Sequence, residues 1–507
     1  ACQINFQAAR LLLDLPDITA CTGSSEATIT AEGCGSTVTG SKSLKIWMAY
    51  ANPSSANGEA LKAGSLTVPT SEPAANNLTL TFDADGVAPL PLLNYDDAGQ
   101  LTLYAKLTTG GATLSGGESF VSAPEKLALS SATGACAGPG YAACSAFAKA
   151  GGAFNLTLAA LCSSGKVTRN FRQSAIPLTS TRLAPDPGTD GVLSPTEVSL
   201  AAGDNGQKIF AAAMTEVGVF AFAPSTVSYL GVDVPGQGSG PLGRFYPDHF
   251  DTTVADACGS FTYAGQPFPL TVTARNASGG TTLNYAGSFA KAGTLADANG
   301  AAGSFSPATV LATKYLAGVA DLTTTPEVSF TFAAKKTAPA TLKVRVNDGE
   351  ASSAAGSEGT SPLRAGRLVL SNAYGSDLLK LSLPVETQYW KGSYWATNAA
   401  DSCTMLTGGI VTSSTPCVTP SVVEIAAGKG SLNFAAPGAK CSVDVCAHLS
   451  GDADNPLSAC QGAVSGRPSW LQGSWDADGN YNDNPAARAT FGIYGPRSPV
   501  IYLRERY

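Results

Sequence analysis

The chain has 507 residues, of which 44% are hydrophobic and only 14% are charged, and its formal net charge is −7. This length exceeds what one hydrophobic core usually serves, and the apolar content excludes a disordered chain. The weakly acidic charge, without clusters of lysine or arginine, excludes a surface for nucleic acid or anionic membrane. No apolar run reaches the roughly 18 residues that span a bilayer.

Alternation of apolar and polar residues predicts β-strands along most of the chain. The clearest examples are residues 101–107, 268–275 and 342–346. A period of two with one apolar face is typical of a half-buried antiparallel strand. Convincing long helices are absent, and residues 196–202 and 207–215 are predicted to form short helical turns at most.

A repeat with a constant offset of 114 residues occupies the middle of the chain. Its matched pairs include Cys144 and Cys258, Phe147 and Phe261, Phe154 and Phe268, Leu156 and Leu270, and Asn170 and Asn284. A shared spacing of this length predicts two tandem copies of one sandwich-sized β-domain. We therefore expect Phe154 to occupy the same core position in the first copy as Phe268 in the second. The same holds for Leu156 and Leu270.

The repeat and the changes in composition predict the domain boundaries. We expect β-sandwich domains at 1–122, 123–243 and 244–348, a flexible Ser/Ala/Gly-rich linker at 349–363, and a larger β-rich domain at 364–507. The turn at residues 95–99 is similar to the corner of immunoglobulin-like sandwiches. The predicted fold class is all-β, with tandem immunoglobulin-like β-sandwich domains.

Twelve cysteines, no CxxC motif and only two histidines predict disulfides formed in an oxidising compartment. The disulfide candidates are Cys21, Cys34, Cys136, Cys144, Cys162, Cys258, Cys403, Cys417, Cys441, Cys446 and Cys460. The four predicted domains hold three, three, one and five cysteines, so every count is odd. We expect at least one inter-domain disulfide, at Cys258, and local pairs Cys21–Cys34 and Cys403–Cys417. Free thiols, or a bond from Cys2 to an upstream segment, are the alternatives.

Catalytic signals are weak. The only histidines are His249 and His448, and a serine or cysteine hydrolase normally needs a histidine base. Cys441 and Cys446, followed by His448, could bind a metal, but disulfides are favoured outside the cell. A glycosidase that uses two carboxylates far apart in the chain stays open as an alternative. We expect no enzymatic activity and no cofactor other than calcium.

The segment Asp476-Ala-Asp-Gly-Asn-Tyr-Asn-Asp483 is the best candidate ligand site. The oxygens of Asp476, Asp478 and Asn480, with Asn482 or Asp483 beyond them, imitate the first half of a calcium loop. The loop is not an EF-hand, because the twelfth position is Ala487. Calcium binding and an Asx-rich turn both remain open. The similar Asp83-Ala-Asp-Gly86 is interpreted as a turn.

Four of the five tryptophans lie in the last predicted domain: Trp390, Trp395, Trp470 and Trp475. Together with Tyr389 and Tyr394 they predict either an aromatic platform for a sugar or protein partner, or the filling of a core or a domain interface.

Several segments resemble one bacterial family. They are residues 39–47, 97–100, 243–250, 258–264, 364–376, 385–390, 401–404, 475–494 and 501–507. These segments are similar to MshQ-type proteins, which are encoded with the machinery of mannose-sensitive haemagglutinin (MSHA) type IV pili. The resemblance implies an exported protein on a bacterial cell surface, tied to type IV pili and adhesive.

Three functions are weighed from the sequence. The first is an extracellular pilus-associated protein that acts as an adhesin scaffold or stalk, with pilus or other cell-surface proteins as partners. The second is a carbohydrate- or host-binding module that uses the tryptophan-rich domain, with host or surface glycans as ligands. The third is a structural subunit of a surface filament formed through exposed strand edges. The first residues, 1–6, lack the pattern of a signal peptide, so we expect a mature form or part of a longer protein.

Overall fold

The structure is a computed structural model. It describes residues 9–32, 37–54, 59–138, 140–406, 411–413, 417–421, 423–450, 460 and 468–493. The chain forms two compact units: Ala1–Asp248 with Asn276–Asn284, and His249–Arg275 with Tyr285–Tyr507. Among the described residues, strands dominate, and short 3-10 turns occur at Tyr141–Ala143, Ala202–Asp204, Gly287–Phe289, Ala312–Lys314 and Ser469–Leu471. No helix of this part of the chain is long and apolar enough to cross a membrane.

The first sandwich lies in the first unit. Its strands are β1 (Arg10–Asp14), β2 (Ile18–Thr19), β3 (Thr28–Glu32), β4 (Gly40–Asn52), β5 (Lys62–Ala63), β6 (Leu66–Thr67), β7 (Leu78–Phe82), β8 (Val87–Pro89), β9 (Leu93–Asn94), β10 (Gly99–Thr109) and β11 (Ala112–Ala123). The two main sheets have the orders β1-β3-β8 and β2-β11-β10-β4-β7. Leu101, Leu103 and Leu107 of β10 are buried in the core, because alternate residues of a strand face the same side.

The second sandwich completes the first unit. Its strands are β12 (Lys126–Ser130), β13 (Ala148–Lys149), β14 (Ala153–Leu161), β15 (Gln173–Ala184), β16 (Leu193–Ser194), β17 (Glu197–Leu200), β18 (Gln207–Met214), β19 (Gly218–Pro224), β20 (Val227–Tyr229), β21 (Val232–Val234), β22 (Gly236–Gln237) and β23 (Pro241–Tyr246). The main sheets have the orders β16-β18-β14-β12-β22 and β13-β23-β19-β15-β17.

The predicted helical turns at 196–202 and 207–215 are wrong. These segments form β17 and β18, with the 3-10 turn Ala202–Asp204 between them. Val198 and Leu200 are buried while Glu197 is exposed, which is the alternation of a strand. β18 pairs along β14, so the ladder hydrogen bonds override the helix propensity of its alanines.

The third sandwich lies in the second unit. Its strands are β24 (His249–Val254), β25 (Thr262–Tyr263), β26 (Leu270–Arg275), β27 (Gly293–Asp297), β28 (Gly303–Ser306), β29 (Thr309–Val310), β30 (Tyr315–Leu316), β31 (Val319–Leu322), β32 (Ser329–Phe332), β33 (Ala340–Asn347) and β34 (Thr360–Arg364). The main sheets have the orders β24-β26-β31-β30 and β25-β34-β33-β27-β29.

The 114-residue repeat is a structural repeat. The sheet β13-β23-β19-β15-β17 of the second sandwich and the sheet β25-β34-β33-β27-β29 of the third have the same strand order and the same pairing directions. Leu156 on β14 and Leu270 on β26 are both fully buried on equivalent strands. Phe154 on β14 and Phe268, which precedes β26, are buried as well, and the equivalence of these two positions stays a prediction.

The predicted flexible linker at 349–363 is wrong. Its last residues belong to β34, which pairs with β33 and β25 in the third sandwich. Ser353 accepts the N–H of Val346, and buried Glu358 forms ion pairs with Lys343 and Arg345. Small residues predict flexibility from composition alone, but here they allow the segment to pack against its own sandwich.

The fourth sandwich completes the second unit. Its strands are β35 (Gly366–Leu370), β36 (Ala373–Gly375), β37 (Leu381–Trp390), β38 (Trp395–Thr397), β39 (Met405–Leu406), β40 (Val411–Ser413), β41 (Val423–Glu424), β42 (Lys429–Phe434), β43 (Cys441–Ala447) and β44 (Ala486–Phe491). β37 pairs with β35, β38 and β42, and the second sheet has the order β36-β44-β43-β40. Phe261 and Tyr263 of the third sandwich are part of its core.

All four sandwiches share one topological feature. A short edge strand pairs in parallel with the last described strand of the same sandwich: β2 with β11, β13 with β23, β25 with β34, and β36 with β44. The other main ladders are antiparallel, apart from the pair β12 and β22. The predicted all-β fold of immunoglobulin-like sandwiches is confirmed.

Candidate functional site

The four predicted tryptophans all lie in the fourth sandwich, and three of them belong to one group of rings. Trp390 ends β37, Trp395 begins β38, Trp470 lies in the turn Ser469–Leu471, and Trp475 follows in the next loop. All four are partly exposed, so they do not form an interior core. Each of the four residues is therefore partly accessible to solvent, although Nε1 of Trp475 is buried and Trp470 packs against the core.

Arg367 on β35 is the residue around which the rings assemble. Its guanidinium carbon is 4.4 Å from the ring centroid of Trp395 and 5.1 Å from that of Trp475. The centroid of Trp395 is also 5.5 Å from that of Trp390 and 6.2 Å from that of Tyr481. A cation over aromatic faces orders both partners. We name these five residues the aromatic cluster.

The sequence reasoning missed Arg367. Its Nε and Nη2 donate to Gln388 Oε1 at 2.9 and 2.7 Å, which fixes the plane of the guanidinium. Burial lowers the pKa of Arg367 from its ordinary value. The signal that could have identified Arg367 is its place as the second residue of a strand in the tryptophan-rich domain.

Trp470 lies apart from the cluster, beside a cavity of about 320 Å³. Trp470, Gln472, Tyr481 and Lys335 contribute to its lining. Lys335 Nζ donates to the carbonyl oxygen of Trp470 at 2.5 Å, and burial lowers the pKa of Lys335 to about 7. The cavity thus combines aromatic surface with a lysine amine.

The predicted acidic segment forms a closed loop. The backbones of Gly473 and Asp483 exchange hydrogen bonds of 3.0 and 2.9 Å, and we name residues 473–483 the acid loop. Asp476 Oδ1 accepts the N–H of Asp478 at 3.0 Å, and Asp478 Oδ1 accepts the N–H of Asn480 at 2.7 Å. Such Asx turns are how short acidic side chains shape a tight loop.

Three carboxylates meet inside this loop. One oxygen each of Asp476, Asp478 and Asp483 lies within 4.8 Å of the other two. Asp476 and Asp478 are exposed, whereas Asp483 is fully buried. Asp483 Oδ2 accepts the N–H groups of Trp475 at 2.6 Å and Asp476 at 3.2 Å. Its Oδ1 is buried without a hydrogen-bond partner among the described residues.

The two predicted asparagine ligands differ in placement. Asn480 Nδ2 donates to Asp478 Oδ2 at 2.5 Å, so the amide nitrogen faces the acids. The carbonyl oxygen of Asn482 accepts a hydrogen bond from Gln472, and its Oδ1 is buried with no partner in the described part of the chain. The structure therefore brings together three of the five predicted ligands, with Asn480 beside them.

Ten described cysteines form five disulfides. The bonds are Cys21–Cys162, Cys136–Cys144, Cys258–Cys403, Cys417–Cys441 and Cys446–Cys460. The predicted inter-domain bond at Cys258 is confirmed, since Cys403 lies in the fourth sandwich. Cys21–Cys162 likewise joins the first and second sandwiches. The interpretation of Cys441 and Cys446 as disulfide cysteines rather than metal ligands also holds.

The predicted local pairs Cys21–Cys34 and Cys403–Cys417 are wrong. Cys21 and Cys403 are bonded elsewhere, and Cys2 and Cys34 lie outside the described residues. The turn after β2 contacts the end of β14, where Ser163 donates its N–H to the carbonyl of Ala20 at 3.2 Å. Tertiary contact, rather than closeness along the chain, thus selects Cys162 as the partner.

A buried carboxylate joins the first and second sandwiches, and the sequence reasoning missed it. Asp97 Oδ1 accepts the N–H groups of Ala98 at 2.7 Å and Asn170 at 2.9 Å. Asn170 Nδ2 also donates to Tyr95 OH at 3.0 Å. Burial raises the pKa of Asp97. The turn at 95–99, predicted as a sandwich corner, is therefore also a contact with the next sandwich.

The same arrangement recurs once more within the first unit. Glu216 Oε1 accepts the N–H of Asn284 at 3.1 Å, and Oε2 accepts that of Leu283 at 3.0 Å. Asn284 Nδ2 donates to the carbonyls of Thr189 and Val217 at 2.8 and 2.9 Å. Burial raises the pKa of Glu216. Asn170 and Asn284 are matched positions of the repeat, which is the signal that could have identified them.

Asp401 organises the contact between the third and fourth sandwiches. Its Oδ2 accepts the hydroxyls of Tyr263 at 2.8 Å and Thr404 at 2.7 Å, and its Oδ1 accepts the N–H of Cys403 at 3.1 Å. Burial and the charge of Asp401 raise the pKa of Tyr263. These bonds lie next to the Cys258–Cys403 disulfide, and the side chains of Asp401, Tyr263 and Thr404 are buried.

The two histidines are far apart in the sequence and on different sandwiches. His249 is on β24, where its Nε2 lies 3.5 Å from Asp251 Oδ1, and His448 follows β43 with 3% of its surface exposed. Neither is part of the aromatic cluster or the acid loop.

Four family models match the chain. They are the first, immunoglobulin-like domain of DUF6701, a domain of unknown function, at residues 1–118, and its second, third and fourth domains at residues 123–212, 216–366 and 364–506. The chain therefore belongs to the four-domain DUF6701 family. No protein with a curated description matches it.

Solved structures of similar fold include bacterial adhesins. Invasin, a bacterial integrin-binding protein, is 14% identical, with 87% of this chain and 76% of that chain covered and a TM-score of 0.25. The Yersinia pseudotuberculosis adhesin InvE is 12% identical, with 51% and 66% covered and a TM-score of 0.26. The ICAM-5 D1–D4 fragment is 13% identical, with 88% and 96% covered and a TM-score of 0.28. With scores this low, these neighbours carry no argument about function.

Proposed function

We propose that this member of the DUF6701 family is an exported, extracellular bacterial surface protein associated with type IV pili, in which the sandwiches act as an adhesin scaffold or stalk. The pilus association rests on the resemblance of residues 243–250, 364–376 and 475–494 to MshQ-type proteins of the MSHA system. Its partners are pilus proteins or other cell-surface proteins. The division of the chain at 1–122, 123–243, 244–363 and 364–507 is part of this proposal.

The observation that carries the proposal is the covalent joining of neighbouring sandwiches. Cys21–Cys162 joins the first sandwich to the second, and Cys258–Cys403 joins the third to the fourth. The buried bonds of Asp97 with Asn170, and of Tyr263 with Asp401, add to each contact. A protein that transmits force between a cell and a surface needs such joints, whereas a flexible tether for an enzyme does not.

The disulfides also support an extracellular location. Five bonds in the described part of the chain would not persist in a reducing cytosol. The low content of charge and the absence of basic clusters favour contact with proteins or glycans over nucleic acid.

Fractionation of the source bacterium tests the pilus association. Pili are sheared from cells that carry the tagged full chain, and the same procedure is applied to a strain without the major pilin. We expect the chain in the sheared fraction only when pili are present, and we expect loss of surface adhesion in a strain that lacks the chain but keeps its pili. Equal amounts of the chain in both sheared fractions would contradict the pilus association.

The aromatic cluster favours a second candidate function, the binding of a surface glycan or a host protein. Stacking on partly exposed indole rings is a common way to bind a sugar face. On a glycan array, the purified chain should bind a ligand that Trp475→Ala loses and Trp47→Ala keeps. Trp47 is the matched control because it stacks on Tyr104 of the first sandwich, at 5.4 Å between centroids. Filaments of the purified chain in negative stain would instead favour the structural subunit.

A further inference from the structure

We propose that the acid loop binds one Ca²⁺ ion through the carboxylates of Asp476, Asp478 and Asp483. The proposal does not depend on the surface role above, because it rests on the geometry of this loop alone. The ion would be held between an exposed side, formed by the first two acids, and a buried floor formed by Asp483.

The first argument is the charge of the loop. Three carboxylates hold oxygens within 4.8 Å of one another, a separation at which like charges repel. None of the ion pairs formed by lysine or arginine among the described residues includes these three acids. The nearby Arg367 guanidinium packs on the ring of Trp475 and donates to Gln388. A divalent cation would relieve the repulsion that the protein itself leaves uncompensated.

The second argument is independent of the first and concerns a single atom. Asp483 is 0% exposed, and while its Oδ2 accepts two backbone N–H groups, its Oδ1 has no hydrogen-bond partner in the described part of the chain. A buried carboxylate oxygen is rarely left unsatisfied, because the loss of water around it is costly. Since the Asp483 carboxylate is a member of the cluster, a cation there would supply the missing partner.

The chemistry of the donors selects the metal. All three are carboxylates, which suit calcium, magnesium or manganese, while zinc prefers nitrogen and sulfur. The exposed side leaves room for water ligands, and Ca²⁺ tolerates the irregular geometry that such a loop offers, whereas Mg²⁺ requires a near-ideal octahedron. A flip of the Asn480 amide would exchange its nitrogen for an oxygen facing Asp478. Extracellular calcium modules of this kind have a Kd of about 10⁻⁴–10⁻³ M.

Thermal unfolding of the full chain is the first test. Raising Ca²⁺ from a chelated solution to about ten times the expected Kd should raise the Tm of the fourth sandwich by about 3–6 °C. Asp478→Ala and Asp483→Asn should each abolish this rise. Asp478→Ala changes an exposed residue and should fold, so the test does not depend on the buried variant.

The chain offers a matched control in the turn Asp83-Ala84-Asp85-Gly86. This turn has the same four residues as 476–479, and Asp83 Oδ1 accepts the N–H groups of Asp85 and Val87 at 2.9 and 2.8 Å. In the described part of the chain, no third carboxylate lies close to both Asp83 and Asp85 in the way that Asp483 lies close to Asp476 and Asp478. Asp85→Ala should therefore keep the full response to Ca²⁺.

Terbium luminescence gives a readout of binding that does not require a change in stability. Tb³⁺ replaces Ca²⁺ in oxygen sites, and Trp475 within the loop should sensitise its emission. We expect emission that Ca²⁺ displaces, that Asp478→Ala loses and that Asp85→Ala retains. The proposal is overturned if the wild type shows neither a calcium-dependent Tm nor displaceable emission, or if Asp478→Ala keeps both. A response to Mg²⁺ equal to that of Ca²⁺ would overturn the choice of metal.

Discussion

Asn170 and Asn284 are matched positions of the repeat, and each makes the same two kinds of contact. The backbone N–H donates to a buried acid, and the side-chain amide donates to a residue close to that acid in the chain. The acids, Asp97 and Glu216, are 1% and 4% exposed, yet each accepts at least two backbone N–H groups. Backbone donors partly replace the water that burial removes. Desolvation still dominates, so the pKa of both acids is raised.

The raised pKa of Asp97 predicts a pH dependence of stability. A folded-state pKa above the unfolded value, about 3.9 for an aspartate, means that the folded state holds its proton more tightly. The stability that Asp97 contributes is therefore fully present below the unfolded pKa and is lost as pH rises through the folded pKa. When Tm is measured from acid to neutral pH, the difference in Tm between wild type and Asp97→Asn should become smaller as pH rises.

Asp444→Asn is the control for this measurement, because its pKa shift has the opposite sign. Hydrogen bonds from Arg488, at 2.5 and 2.9 Å, lower the pKa of Asp444. Its contribution is present above the unfolded pKa and is lost as pH falls. The advantage of wild type over Asp444→Asn should thus grow with pH. If the Tm difference between wild type and Asp97→Asn also grew with rising pH, the raised pKa assigned to Asp97 would be contradicted.

Among the elements, the segments around the short edge strands form the contacts between sandwiches. Cys21 follows β2 and Cys258 precedes β25, and both strands pair in parallel with the last strand of their sandwich. A short edge strand leaves its flanking turns free to reach a neighbouring sandwich. The two inter-sandwich disulfides therefore both arise in turns that flank a short edge strand.

The Cys258–Cys403 bond should stabilise the chain more than a local bond does. The two cysteines are 145 residues apart, whereas Cys136 and Cys144 are 8 apart. The chain-entropy relation gives about 5 kcal/mol for the long loop and about 2.5 kcal/mol for the short one. We expect Cys258→Ser with Cys403→Ser to lower the free energy of unfolding by about 2.5 kcal/mol more than Cys136→Ser with Cys144→Ser does. Denaturant titrations followed by tryptophan fluorescence measure this difference.

Peptide mapping without reduction is the accompanying measurement. It should recover Cys258 linked to Cys403 in the wild type and no bond at either position in the double variant. A free, alkylated Cys258 in the wild type would refute the bond itself. An equal loss of stability in the two double variants would refute the argument from loop length.

At the scale of the whole molecule, each compact unit contains a pair of sandwiches joined by a long-range disulfide and buried hydrogen bonds. Segments 276–284 and 349–363, both rich in small polar residues, belong to folded parts of the chain. Both segments are thus ordered parts of the structure, which suits the proposed stalk.

The sequence by itself determined the strands and the repeat. Alternation at 101–107, 268–275 and 342–346 identifies the buried faces, because the side-chain period of a strand is local. The 114-residue offset predicted equivalent strands, and an odd cysteine count predicted the bridge at Cys258. These inferences need no knowledge of which distant segments meet.

Only the tertiary structure decided which residues became partners. Cys162 rather than Cys34 bonds to Cys21, and Arg367 lies between Trp395 and Trp475. Residues 360–363 join a sheet instead of ending a linker. The sequence likewise does not reveal that Asp483 is buried while the neighbouring Asp476 is exposed. The physical reason is that these contacts depend on how sheets pack against one another, and packing brings together residues whose separation along the chain carries no signal.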